Sequence, residues 1–289
     1  MDSSKILPRQ PARTGWRGLA FLTILFFISA MQLSASVLVA PTAVIMSKAK
    51  AGRLNIQNPT DKPVEVTINF SFGLPESDSL GVVKIELQDS AVTDPRSALG
   101  WIKAFPRKIV LEPNSSQIVR FRAKPPKDLA DGEYWARVLI RSQEGQRSIP
   151  VPTDDDKITT KLNMIMQMAI ILKYRTGNLV SKVEVLHAEA EPTDSSVIAT
   201  IDMVNRGNVS YVGLLTCRLL DAGGQRISED KIDLAVYHNL RRRVELPIVD
   251  AEFQEPYQVE ITINTEGRVD IPPEDLIAGN SYAETIVVR

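Results

Sequence analysis

The residues able to do chemistry are few. His187, His238 and Cys217 are the only histidines and cysteine in the chain, and their spacing fits no recognised zinc pattern. Neither histidine stands beside a serine or cysteine in a nucleophile motif, and there is no G-x-S-x-G or glycine-rich phosphate loop. The carboxylate pairs Asp154/Asp156 and Glu229/Asp230 fall in polar, turn-like segments. A general acid–base pair would instead place one carboxylate in apolar surroundings that raise its pKa. The triplet Asp154-Asp155-Asp156 offers oxygens to a cation, but no second oxygen cluster is spaced to complete a Ca²⁺ shell. Catalysis, a bound metal and a cofactor are therefore not expected.

The informative stretch is apolar. In Leu162–Arg175, LNMIMQMAIILKYR, the residues Leu162, Met164, Met166, Met168, Ile170 and Leu172 recur with period two, which is the signature of a strand. The opposite side, Asn163, Ile165, Gln167, Ala169, Ile171 and Lys173, is apolar over much of its length. A strand apolar on both faces must be covered on both. If its own domain supplies only one cover, a partner supplies the other.

The N-terminus reads as a targeting segment. Lys5, Arg9, Arg13 and Arg17 precede the apolar run Leu19–Ile28, and small residues follow to Ser36, the layout of a signal peptide over residues 1–36. An uncleaved anchor is the rival reading. Without that segment the chain carries 30 Lys+Arg against 34 Asp+Glu, a net of −4. This balance predicts no general attraction to nucleic acid or anionic lipid. Arg241-Arg242-Arg243 is the one compact basic run and reads as a solvated face. A lone Cys217 in an apolar run reads as a buried, inert thiol, and the fold must be held by its cores.

From Val37 onward nearly every segment alternates like a strand. Val37–Met46, Gly52–Asn58, Val64–Phe72, Val82–Leu87, Trp101–Leu111, Gln117–Arg122 and Glu133–Ile140 precede the apolar strand; Leu74–Ser79 and Gln143–Lys157 read as loops. A second set follows the linker Thr176–Ser181, with helical character only near Pro273–Ala278. The fold class expected is all-β: two Ig-like β-sandwich domains, 37–176 and 177–289, joined near Arg175–Ser181.

Several pieces, in order, resemble the PapD-like periplasmic chaperones of pilus assembly. Val39–Met46 is similar to that family's first strand, and Leu54-Asn-Ile-Gln-Asn-Pro-Thr60 to its l-x-v-x-N-x-t signature. Phe105–Arg120 is similar to P-x-x-f-x-L-x-P…v-R, and Leu129–Trp135 to l-p-d-g-E-y. Leu162–Arg175 resembles its G1 strand, which ends Leu-x-Tyr-Arg. The resemblance implies a non-enzymatic periplasmic protein that donates G1 side chains to a secreted or pilus-type subunit, by strand addition. It implies Leu162, Met164, Met166, Met168 and Ile170 as the donor residues, Glu133 and Arg175 as an interdomain salt bridge, and an outer-membrane usher as a further partner. Self-capping as a dimer is a way to protect such a strand. The family's carboxylate-anchoring Arg and Lys fall on Ala43 and Ile171 here, which cannot hold a carboxylate, leaving Lys48 and Lys173 as substitutes. The alternative is a structural or adhesive protein of the cell envelope or cell surface, whose apolar strand is simply its own core.

Overall fold

The computed structural model describes residues 37–47, 50–88, 92–145, 164–249 and 255–288. Residues Ser36–Arg289 form a compact unit by themselves.

The first half of the described residues holds eleven strands, nine in a first sandwich and two, the fifth and sixth, in a separate hairpin. They are β1 (Leu38–Ala40), β2 (Ala43–Met46), β3 (Ala51–Gln57), β4 (Val64–Ser71), β5 (Pro75–Ser77), β6 (Val83–Ile85), β7 (Ile102–Phe105), β8 (Lys108–Leu111), β9 (Ser116–Ala123), β10 (Gly132–Glu144) and β11 (Ile165–Thr176). One sheet runs β1-β3-β9-β7 and the other β2-β11-β10-β4-β8. Alternation produces the layers: in β4, Val64, Val66 and Ile68 point inward, while Asn69 is exposed. Met46, Leu54, Ile56, Ile68, Phe121, Ile140 and Leu172 close the core between the sheets. β10 is buried on both faces because Tyr134, Ala136, Val138 and Ile140 face this core while Glu133 and Trp135 face a second body and Arg137 is buried against the Gly73 carbonyl.

That body is a second sandwich, with the strands β12 (Val183–Pro192), β13 (Ser196–Asn205), β14 (Tyr211–Leu220), β15 (Arg226–Val236), β16 (Asn239–Pro247), β17 (Gln258–Asn264) and β18 (Tyr282–Val287). Its sheets are β12-β13-β16 and β15-β14-β17-β18, with Ile201, Met203, Tyr211, Leu215 and Leu219 between them. Among the described residues there is no α-helix, only a 3₁₀ turn at Pro273–Asp275, and no helix long and apolar enough to cross a membrane.

Prolines divide two segments that alternate as single strands in sequence. Val37–Met46 becomes β1 and β2 in opposite sheets, with Pro41 at the crossing; Trp101–Leu111 becomes β7 and β8, likewise in opposite sheets, with Pro106 between them. Proline has no N–H for the ladder, so each ends the pairing of its strand. The expected loop Leu74–Ser79 contains β5, which pairs with β6.

This β5–β6 hairpin straps the first sandwich to the second. Val83 packs on the second core, Ser77 Oγ accepts the Arg241 amide at 2.7 Å, and Arg241 Nη1 donates to Ser79 O at 2.9 Å. Arg241 also grips Asp202 through Nε and Nη2, both at 2.6 Å. The arginine run is therefore not simply solvated; its first member is a strap contact, and Arg242 Nε is buried without a hydrogen bond. Replacing Val83 by Asp puts a charge against apolar side chains and is expected to free the hairpin. Limited proteolysis should then cut between Pro75 and Ile85 much faster than in the wild type; unchanged cleavage would mean that the strap is held without Val83.

Candidate functional site

The outer half of β11 has one edge without a strand partner among the described residues. On one side β11 pairs with β10 along its whole length, from Gln143↔Ile165 to Gly132↔Thr176. On the other, β2 runs parallel to it only from Ile171↔Ala43 to Tyr174↔Met46. The backbone edge of Ile165–Ile170 facing away from β10 thus has no strand partner among the described residues. The cause is local: upstream of Ala43 the chain crosses at Pro41 to become β1 of the other sheet.

Side chains follow the same gradient. Leu172 and Tyr174 are buried in the core, Ile170 and Met168 pack partly against it, and Met166 and Met164 rise to 37% and 74% exposed. On the other face Ile171 packs on the satellite cluster of Phe72, Leu74, Trp135 and Tyr237, whereas Ile165 is half exposed at 51%. One continuous apolar ladder therefore leaves the core and runs into solvent along a bare strand edge. Leu162 lies outside the described residues, as does Lys48.

The inner end of β11 is fixed by charge. Glu133, fully buried on β10, accepts Arg175 Nε at 2.7 Å and faces Lys173 Nζ at 3.2 Å. It also accepts Trp135 Nε1 at 2.6 Å and Ser210 Oγ at 2.6 Å, the latter from the second sandwich. Arg175 Nη1 donates to Asp275 O at 2.5 Å, and Lys173 Nζ donates to Ser210 Oγ at 2.6 Å. Burial by itself would raise the Glu133 pKa; the Lys173 and Arg175 charges, with the hydrogen bonds from Ser210 and Trp135, outweigh it and hold the carboxyl at about 2. The joint continues through Gly177, whose φ of +67° is left-handed and whose missing Cβ leaves room for the Asp131 carboxylate. Asp131 Oδ2 in turn accepts the Asn178 amide at 2.9 Å.

Beside this network a cavity of about 180 Å³ lies between the sandwiches, lined by Ala43, Ile171, Lys173, Arg175, Ser210 and Tyr237 among others. Ala43 and Ile171 stand directly opposite each other in the β2–β11 register, and both are apolar. Lys173 is committed to Glu133 and Ser210, 5.3 Å from the Tyr237 ring. Only half of the network is legible in the sequence: the resemblance implies Glu133 and Arg175, but nothing in the spacing marks Ser210 or the Asp275 carbonyl.

The remaining reactive groups stay apart. His238 Nε2 lies 2.7 Å from Asp94 Oδ2 at the strap side, and His187 Nε2 lies 3.2 Å from Glu189 on β12. No group of three or more His, Cys, Asp or Glu among the described residues is placed to hold a metal ion. Cys217 is fully buried in the second core, where burial, then Asp230, pushes its thiol up to about 12. The folded protein should therefore leave a thiol reagent unconsumed at pH 8 and react with one equivalent once unfolded in urea; rapid native labelling would show that β14 opens readily.

No protein-family model matches the chain, and no curated protein matches it. Among solved structures it is similar to the YadV chaperone, at 12% identity and a TM-score of 0.44, covering 88% of this chain and all of that one. It is similar to the Salmonella enterica SafA pilin in complex with the SafB chaperone, at 16% identity and 0.43, covering 89% and 98%. The E. coli chaperone DraB matches at 15% and 0.42, covering 86% and 95%. The likeness is one of fold alone.

Proposed function

We propose that this chain is a non-enzymatic chaperone, exported to the periplasm, that stabilises a secreted or pilus-type β-sandwich subunit by lending it the outer half of β11. The observation that carries this reading is the edge of Ile165–Ile170, bare among the described residues, beside the exposed Met164 and Met166. An unpaired strand edge is a template for another chain's strand, and methionine adapts its flexible thioether to pockets of varied shape.

Magnitudes favour a shared load. Met164, Ile165 and Met166 are already part buried, so sealing them would contribute less than the roughly 4.5–9 kcal/mol of three fully exposed side chains, at about 1.5–3 each. Association itself costs about 4–15 kcal/mol, so the ladder alone is at best close to break-even. Backbone hydrogen bonds along Ile165–Ile170, at about 0.5–1.5 kcal/mol each, would tip the balance, helped by Met168, Ile170 and Leu162. The cleft cannot add much for a client's carboxylate, because Lys173 and Arg175 already share Glu133. Affinity in this protein would rest on strand pairing rather than on a charge anchor.

Glu133 and Arg175, neighbours on β10 and β11 of one sandwich rather than across the two, serve this reading as the ion pair that keeps the inner end of β11 in place and reaches the second sandwich through Ser210 and the Asp275 carbonyl. Residues 37–176 would form the lending domain and 177–289 the domain that backs it, with residues 1–36 directing export. The test is a stoichiometric complex, seen by size-exclusion chromatography, with a purified pilus-type subunit whose sandwich lacks one strand; a panel of such subunits that all fail to bind sinks the proposal.

A further inference from the structure

The net charge conceals an uneven surface. The outward face of the β1-β3-β9-β7 sheet carries Arg53, Lys103, Arg120 and Arg122, all exposed, and those four strands contain no acidic residue. Register makes the arrangement costly: Arg53 stands directly opposite Arg120, and Lys103 directly opposite Arg122. Like charges facing each other across a ladder are destabilising. Several cations elsewhere find acids, as in Arg206–Glu184, Arg218–Glu229 and Arg241–Asp202, whereas none of these four has an ion-pair partner among the described residues.

The apolar side chains on the same face make a second point. Phe105, 75% exposed, is paired with Arg120, and the exposed Ile118 and Leu38 lie on β9 and β1 of the same sheet. Unpaired cations interleaved with an aromatic and aliphatic side chains suit an interface where phosphates meet the cations and acyl chains receive the apolar groups. We propose that this sheet face docks on an anionic lipid surface. The face is opposite in kind to the strand edge of β11, and the inference stands without the proposed function.

The compact unit Ser36–Arg289, which holds both cores, is the form to test, by co-sedimentation with vesicles of phosphatidylcholine alone or mixed with phosphatidylglycerol. Binding is expected only with the anionic lipid and should vanish near about 0.5 M salt, where charges are screened within a few ångström. The pair Arg53→Gln/Arg120→Gln should weaken binding roughly tenfold or more, while its melting temperature holds or rises because a repulsive pair is gone. Lys103→Gln/Arg122→Gln should behave alike, giving a second variant should the first fold poorly. Arg206→Gln/Lys231→Gln, which removes the same charge from the other sandwich, should bind as the wild type does. Binding indifferent to phosphatidylglycerol would overturn the proposal and leave an acidic protein as the occupant of this face. An equal loss in the Arg206/Lys231 pair would also overturn it, as an effect of overall charge.

Discussion

Replacing Met164 and Met166 together by Asp should abolish capture of an incomplete β-sandwich subunit while leaving the melting temperature within a degree or two of wild type. Both side chains are exposed in the isolated molecule, at 74% and 37%, so a carboxylate at either position stays in water and removes no core contact. In a complex the same positions would face an apolar groove, where an unpaired carboxylate is far too costly to bury. The contrast is Leu172→Ala, the rung after Ile170 on the same ladder. Leu172 is fully buried, and its truncation should cost about 2–5 kcal/mol of stability, measured by urea unfolding. If the methionine pair unfolds the protein as Leu172→Ala does, the outer ladder is core and the chaperone reading fails.

Glu133 carries the second large effect. Glu133→Gln keeps the shape but leaves Lys173 and Arg175 buried beside a neutral amide, with side chains only 3% and 9% exposed. Removing one partner of a buried ion pair typically costs about 3–5 kcal/mol, and that loss is expected at pH 7. The pH dependence follows from the same geometry. The folded pKa of about 2 lies below the ordinary 4.5, so the unfolded chain takes up the proton first as pH falls. The stabilisation is complete above about pH 4.5 and drains away toward pH 2. Its size is about 3 kcal/mol, at 1.36 kcal/mol per pKa unit. Urea midpoints between pH 6 and 2 should show this slope in the wild type and largely lose it in Glu133→Gln. A variant with an unchanged acid limb would mean that other carboxylates dominate acid unfolding.

Period-two alternation in Val64–Phe72 or Glu133–Ile140 needs nothing beyond the pleat to declare a strand, since successive side chains must point to opposite faces. Enough such segments without helical spacing leave little besides stacked sheets, so the all-β class was legible. So was the ladder from Met164 to Leu172, because an apolar pattern is a property of neighbouring residues. The same pattern is uniform along its length, however, and does not tell where core ends and solvent begins. That limit is drawn by β2, which stops pairing at Ala43 because the chain crosses at Pro41 to another sheet.

Lys173 teaches the same lesson from the polar side. In sequence it is a cation at the end of an apolar run and a substitute for a missing anchor; in the fold Glu133, forty residues earlier, and Ser210, from the other sandwich, have already claimed it. The opposed Arg53 and Arg120 are invisible until β3 and β9 are laid in register. Alternation and composition are local, so the chain by itself determined most of its strands and the apolar ladder, but not the breaks at Pro41 and Pro106 or the short β5. Which edge stays bare, which charges meet and which repel depend on contacts between segments far apart in sequence, and only the tertiary structure decided those.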